Sequence, residues 1–357
     1  MTNQQKSQLE ILVEKLDREL MARSVQTVRE KFKFKDREGT PQREDIMADI
    51  QEYYRGAAPS SPDKAFSHIN TRDLAKMLMI KTRELNADRG ISDEESRRDY
   101  YEIKDEQTTK NADCVAAICR ERDLIPSKEG SLTLRVKNYG KAFNLCQSEP
   151  FYHQDIAAGR LCTGFLVKKD IIATAGHCLD KKNIKDLCFV FGYKMVDSSG
   201  RVPGIQQKDI YKGVRIIHRI CNREGNQSDW ALVKLDRKVD GQEVVTLAKK
   251  EITTNKPVYI IGHPVGLSLK YSPGARLRDI SEAYFSADLN VYNGNSGSPV
   301  FDSKTHEVIG IVVRGHTRDF RLVESCWKSV IYSRSNRYSP NPQCTRVSEF
   351  IDYVDNS

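Results

Sequence analysis

The sequence has no long apolar run. The stretch IIATAG, which begins at Ile171, is among the longest and falls far short of the roughly 20 residues that cross a bilayer. The N-terminal stretch MTNQQKSQLEILVEKLDRELMARS carries charges throughout and lacks the apolar segment and small-residue cleavage site of a secretory signal. We therefore expect a soluble, cytoplasmic protein with no membrane partner.

The sequence also lacks any CxxC pair of cysteines. Its nine cysteines are an odd number, and all of them lie beyond residue 110. This usage argues against a zinc site and against a dense disulfide framework. We expect no metal or organic cofactor, and in a reducing compartment most of these cysteines should be buried thiols.

No stripe of interleaved arginine and aromatic residues occurs, so we expect no nucleic-acid partner. The formal net charge is +8, but residues 1–95 hold 17 basic against 18 acidic residues, so the excess lies in the rest of the chain. A basic domain can favour an acidic partner. The preferred interpretation is a solvated, lysine-rich surface.

The length of 357 residues suits two domains. Residues 7–32 and 41–56 place apolar side chains at helical spacing, and a further helix should start near Thr71 and stop near Gly90. These patterns predict a small all-α bundle over residues 1–95. It could act as an adaptor or regulatory domain, bind a protein partner or self-associate.

A charged linker is predicted over residues 96–110, and the pattern then changes. Residues 111–357 contain short runs rich in β-branched residues between turn signals, which is the spacing of an all-β sandwich or barrel. The runs are CVAAIC, TGFLV, DIIATA, LCFVFGY, GVRIIH, WALVKL, PVYIIG and EVIGIVVRG.

Peptide hydrolysis by a side-chain nucleophile also needs a base, a group that orients the base, and donors for the oxyanion. The best base is His177, in a tight corner at the end of CTGFLVKKDIIATAGHC. The orienting group is predicted to be Asp229, which precedes the apolar strand of SDWALVKLD. Asp236, at the other end of that strand, is the second choice.

The nucleophile is predicted to be Ser296, in GNSGSPVF. Gly294 and Gly297 allow the backbone to turn sharply and to approach a substrate closely. This turn should aim the amides of Gly294 and Ser296 at the oxyanion. A G-x-S-G tetrad alone is weak evidence, but here it follows TAGHC and SDWALV in the order His, Asp, Ser.

Residues from about 110 to the end resemble the bacterial trypsin-like serine peptidases related to glutamyl endopeptidases. The resemblance rests on CTGFLV, TAGHC, SDWALVKLD, IGHPVGLSLKY, YFSADLN, GNSGSPVFD and EVIGIVVRG. It implies a chymotrypsin-like double β-barrel and a serine endopeptidase with protein or peptide substrates. His177 would come from the first barrel and Ser296 from the second.

The chain departs from this family before the nucleophile. Trypsin and chymotrypsin carry an Asp there, which pairs with a newly cut N-terminus, whereas this chain has Asn295. An amide cannot form that ion pair, so activation by cleavage is not required. We expect the uncut chain to be competent or to be gated by its N-terminal domain.

The specificity pocket also departs from known patterns. Asn290 stands where trypsin has its pocket Asp, and Val291 with Val312 or Val313 stand where glutamyl endopeptidases use Thr and His. Arg314 and His316 follow on the same predicted strand and could attract an acidic group. They fit ordinary exposed residues better, and the sequence does not define a cleavage preference.

Relatives often have a disulfide at the histidine corner, so the resemblance implies that Cys162 and Cys178 lie close together. Cys326 and Cys344 are a candidate for a second pair. His263 should shape a turn ahead of Pro264. Two other functions stay open, namely a catalytically silent protease fold that only binds, and a scaffold in which the helical domain is the main actor.

Overall fold

The computed structural model describes most of the chain beyond residue 95. The described residues are 12, 15, 16, 19, 69–71, 74, 77, 96–127, 130–179, 184–222, 228–315, 319–323, 325–330 and 341–357. In these ranges β-strands predominate and the α-helices are short.

The helices are α1 (Glu106–Asp113), α2 (Tyr139–Ala142) and α3 (Ile351–Asp355). The strands are β1 (Arg98–Asp99), β2 (Val115–Arg120), β3 (Leu124–Pro126), β4 (Leu132–Leu134), β5 (Val136–Asn138), β6 (Asp155–Ala157), β7 (Cys162–Lys168), β8 (Ile171–Thr174), β9 (Leu187–Val190), β10 (Ile210–Cys221), β11 (Asp229–Leu235), β12 (Pro257–Gly262), β13 (Lys270–Ile280), β14 (Tyr284–Ala287), β15 (Pro299–Asp302), β16 (Val308–Arg314), β17 (Phe320–Val323), β18 (Cys326–Ser329) and β19 (Gln343–Arg346). Each of the β-branched runs predicted from the sequence overlaps one of these strands.

Six antiparallel strands form the first barrel, in the order β10-β11-β8-β7-β2-β9, and β9 closes it by pairing with β10. Strands β8 and β11 are buried along almost their whole length, because one face lines the barrel and the other packs against the rest of the domain. Closure leaves this sheet without free edges.

The second barrel runs in the order β13-β12-β15-β16-β19-β14, and the pairing of β14 with β13 closes it. Its interior is a separate apolar cluster that includes Val258, Phe285 and Val300. A larger cluster fills the first barrel and continues to the facing side of the second through Tyr259, Phe301 and similar residues. The predicted double barrel of the chymotrypsin-like fold is confirmed.

Residues 96–113 form ordered structure on the barrel domain. Strand β1 pairs with β13 through Arg98↔Tyr271 and Asp99↔Lys270, and α1 follows with Asp105 as its N-cap. The boundaries drawn at residues 95 and 110 stay predictions. Between these boundaries, the backbone of β1 joins the sheet and several side chains are partly buried.

The predicted helical bundle lies largely outside the described residues. Within them, positions 12, 15, 16 and 19 are helical, as are positions 71, 74 and 77. Leu16 and Leu74 are fully buried in one small cluster. The bundle as a whole stays a prediction. Over the described part of the chain, no helix is long and apolar enough to cross a membrane.

Two disulfides are present. Cys162 is bonded to Cys178, the pair that the resemblance implied, and Cys146 is bonded to Cys326. The predicted pairing of Cys326 with Cys344 is therefore wrong. Cys344 lies on β19 inside the second barrel, where burial raises the pKa of its thiol and no second cysteine is bonded to it.

Candidate active site

His177 lies in a 3₁₀ turn, Gly176–Cys178, directly after β8. The turn is fixed by Arg219, whose Nε donates a 2.7 Å hydrogen bond to the carbonyl of Gly176. A side chain at Gly176 would collide with the carbonyl of Ile220. The corner therefore requires glycine next to the histidine, which explains the compact Ala-Gly-His-Cys sequence.

Asp229 is the first residue of β11 and is fully buried. Because β8 and β11 are antiparallel neighbours, the end of one strand meets the start of the other. The Oδ2 atom of Asp229 lies 2.7 Å from Nδ1 of His177, and Oδ1 accepts the backbone amide of His177 at 3.0 Å. This double contact fixes the ring and favours the tautomer that leaves Nε2 free to accept a proton.

Thr345 on β19 connects Asp229 to the second barrel. Its hydroxyl accepts from the backbone N–H of Asp229 at 3.1 Å and donates to the carbonyl of Asp229 at 3.0 Å. Both residues are fully buried. A single hydroxyl thus holds the base-orienting carboxylate in register between the barrels. Sequence reasoning missed Thr345 because a threonine on a strand carries no local signal for this contact.

Ser296 lies in the loop between β14 and β15, flanked by Gly294 and Gly297. Both glycines have positive φ, +92° and +89°, which L-residues rarely adopt. A side chain at Gly297 would collide with Thr163 and Thr174, and one at Gly294 with the carbonyl of His263. The turn therefore forms only with glycine at both positions.

Most amides of this loop have acceptors. The amides of Asn295, Gly297 and Ser298 donate to carbonyls of Tyr292, Val312 and Asn295 at 2.8–3.0 Å. Among the described residues, no acceptor is found for the amides of Gly294 and Ser296. These are the two donors predicted for the oxyanion, and an oxyanion site needs amides that are free for substrate.

The backbone of Ser296 lies against the first barrel. Its carbonyl accepts from the amide of Thr163 on β7 at 2.9 Å, and Sγ of Cys178 lies 3.7 Å from the same oxygen. The latter is a van der Waals contact, because a sulfur bonded to Cys162 has no hydrogen to donate. Cys178 adjoins His177, so the backbone of Ser296 lies beside the corner that carries His177.

Comparisons with known proteins fit this geometry. Residues 162–311, which include His177, Asp229 and Ser296, match the family model of the trypsin-like peptidase domain. Residues 162–311 of this chain are thus similar to trypsin-like peptidase domains. No curated protein sequence matches the chain.

Several solved structures are similar to the chain. A Glu endopeptidase in complex with MPD shares 16% identity, with 74% of this chain and 98% of that one covered, at a TM-score of 0.45. The scabies mite inactivated protease paralogue S-I1 shares 13%, covering 69% and 94%, at 0.42. The VesB protease of Vibrio cholerae shares 15%, covering 72% and 67%, at 0.40.

Asn295 directly precedes Ser296, the predicted nucleophile. Its side chain is buried, and its Oδ1 lies 3.5 Å from the hydroxyl of Ser298. Its amide closes a turn onto Tyr292. The residue thus has neutral partners inside the loop.

The predicted specificity residues divide between two clusters, with Val291 and Val312 in the interior of the second barrel and Val313 in the larger cluster. The Oδ1 atom of Asn290 is buried without a hydrogen-bond partner among the described residues. Val291, Val312 and Val313 are buried, and Arg314 donates a 2.7 Å hydrogen bond to Gln343 on the neighbouring strand. A specificity role for these residues stays a prediction. His316 lies outside the described residues.

Asp236 and His263 have no contact with His177 among those that the structure describes. Asp236 is exposed and binds the amide of Lys212 and the guanidinium of Arg237, at the end of β11 remote from His177. His263 is buried beside Thr163, and burial lowers the pKa of its imidazole to about 3. His263 is therefore neutral near pH 7. Among the described residues, no three metal-binding side chains cluster together.

Proposed function

We propose that this protein is a serine endopeptidase with His177, Asp229 and Ser296 as its catalytic triad. The observation that carries the proposal is the 2.7 Å contact between Nδ1 of His177 and the fully buried carboxylate of Asp229. It is supported by the turn at Ser296, where two amides have no acceptor among the described residues. An orienting carboxylate, a base and an oxyanion site are the parts that acyl transfer requires.

In the first half-reaction, Nε2 of His177 accepts the proton of the Ser296 hydroxyl as Oγ attacks the carbonyl carbon of the scissile peptide. The carbonyl electron pair moves onto oxygen, and the amides of Gly294 and Ser296 stabilise that charge. The imidazolium, stabilised by Asp229, then protonates the leaving amine as the C–N bond breaks. An acyl-enzyme on Ser296 remains.

In the second half-reaction, water takes the place of the amine. His177 accepts a proton from the water as its oxygen attacks the acyl carbon, and then returns the proton to Oγ of Ser296 as the ester bond breaks. The products are a carboxylic acid and the regenerated enzyme. None of these steps requires a metal ion or an organic cofactor.

Active-site labelling tests this proposal. A fluorophosphonate probe should label the wild type stoichiometrically and should not label Ser296→Ala, and turnover of a casein substrate should fall about a million-fold in that variant. Ser199→Ala is the control, because Ser199 lies in an exposed loop of the first barrel and should be dispensable. A wild type that neither reacts nor cleaves would refute the proposal and favour a binding module.

We also propose that residues 1–95 recruit a protein partner or self-associate, which the predicted bundle supports. Light scattering of the full-length chain over a concentration series tests self-association. A mass that stays at one chain throughout would exclude self-association and leave recruitment of a different partner.

A further inference from the structure

The segment in front of the first barrel packs against the second barrel. Strand β1 pairs with the start of β13, and Lys270 lies 2.5 Å from Asp99 with both side chains almost fully buried. Gln154 donates to Asp99 at 2.7 Å and accepts from Lys270 at 2.9 Å. This network fixes the backbone of the segment next to Arg97.

Arg97 directs its guanidinium into the barrel domain. Only 3% of the residue is exposed. Its Cζ lies 4.1 Å from the ring centroid of Tyr292 and 5.3 Å from that of Phe151, and Nη2 donates to the hydroxyl of Ser329 at 3.4 Å. The planar cation thus lies on the face of Tyr292, an arrangement that attracts by charge and by stacking.

Tyr292 begins the turn that leads to the nucleophile. Its carbonyl accepts the amide of Asn295 at 3.0 Å, which closes a turn around Asn293 and Gly294. The ring is buried in a cluster with Val265 and Leu267. A contact that holds the ring therefore also holds the backbone from which the amide of Gly294 projects.

We propose that Arg97 is a positioning residue for the oxyanion site, acting through the ring of Tyr292. This inference rests on the proposed function, because it concerns the amide that would bind the oxyanion. In a site of this kind, a donor displaced by a fraction of an ångström loses much of its stabilisation of the transition state. Arg97 would therefore affect the rate of bond formation and not the initial binding of substrate.

The variant Arg97→Met in the full-length chain tests this role, since methionine keeps the length of the side chain but has no charged plane. The readout is the second-order rate constant of fluorophosphonate labelling, together with the fraction of chains labelled at the endpoint. We expect the rate constant to fall at least tenfold while the endpoint stays near complete. The pH midpoint of the labelling rate should not move, because His177 and Asp229 are untouched.

Arg237→Met is the matched control. Its Cζ lies 4.0 Å from the ring centroid of Tyr211 in the first barrel, so the same contact is lost away from Ser296. Its labelling rate should stay within twofold of wild type. Arg97→Lys, which keeps the charge but not the plane, should give an intermediate loss and provides a second variant if Arg97→Met does not fold.

Tyr292→Leu should lower the rate as Arg97→Met does, and the double variant should be no slower than either single variant, because both changes break one contact. If wild type is labelled and Arg97→Met reacts at the wild-type rate, the positioning role is refuted while the peptidase proposal stands. A reduced endpoint with an unchanged rate would also refute it, because that result means fewer folded chains. No labelling of wild type would overturn both proposals.

Discussion

The two barrels hold their parts of the candidate site in different ways. In the first barrel, His177 and Asp229 lie at the ends of adjacent strands and bind each other directly through two hydrogen bonds. In the second barrel, Ser296 lies on an irregular loop held by contacts with Thr163, Arg97 and other remote groups. One part of the site is built locally and the other is assembled from distant segments.

This difference has a physical cause. A β-ladder fixes neighbouring strand ends through its own hydrogen bonds, so His177 and Asp229 need only a few further contacts, such as the two hydrogen bonds of Thr345. An oxyanion site needs free amides, and a loop with free amides gives up hydrogen bonds that would otherwise fix it. Contacts from outside the loop must then supply the rigidity.

The largest expected effect tests the direct contact between His177 and Asp229. Asp229→Asn should lower casein turnover by about ten-thousand-fold, because a neutral amide favours the wrong tautomer of His177 and cannot stabilise the imidazolium. Steady-state kinetics after active-site titration measures it. The exposed carboxylate of Asp236, at the other end of the same strand, is the control, and Asp236→Asn should leave turnover unchanged. A larger loss in Asp236→Asn would reverse the assignment.

The next largest effect tests the buried ion pair of Asp99 and Lys270, which holds β1 against the second barrel. Asp99→Asn removes the carboxylate beside the buried ammonium of Lys270, whose pKa burial lowers to about 8 although Asp99 opposes the shift. Breaking such a pair should lower the free energy of unfolding by about 3–5 kcal/mol at pH 7, as urea titration would show.

A matched pair in the first barrel provides the control. Glu121 lies 2.7 Å from Lys212, but both side chains are about half exposed. Glu121→Gln should therefore cost less than about 1 kcal/mol. If Asp99→Asn lowered the free energy of unfolding as little as Glu121→Gln does, the segment around β1 would contribute little to the stability of the second barrel.

The same division separates the features that the sequence predicts from those that it does not. His177 was predictable because a tight corner leaves a local signature, and the turn at Ser296 was predictable because only glycine permits its backbone. Thr345 was not, since its partner Asp229 lies 116 residues away. Cys326 was assigned the wrong partner for the same reason, as Cys146 lies 180 residues away and only the folded topology brings them together.

Strand β13 shows a second limit. Its sequence KYSPGARLRDI contains Pro273 and Gly274, which usually interrupt a strand. The structure accommodates them where the register with β12 shifts, and Gly274 has a positive φ of +87°. Strand β1 likewise has no signal in the sequence, because two paired residues are too few to give a strand pattern.

The smallest expected effect compares His177 of the candidate site with His263, which lies outside it. His177 has a carboxylate partner, whereas His263 is fully buried beside Thr163 and burial lowers its pKa from 6.5 to about 3. Between these two values the unfolded chain binds a proton that the folded chain does not, so this group lowers the free energy of unfolding as the pH falls. The contribution is about 1.4 kcal/mol per pH unit.

His263→Gln should remove that part of the slope between pH 6 and pH 4, measured by urea titration at each pH. His153→Gln, at an exposed position, should leave the wild-type slope in place. A wild-type slope in His263→Gln would show that the imidazole is reached by protons in the folded state, and that the loop carrying it is less tightly closed than the loop geometry indicates.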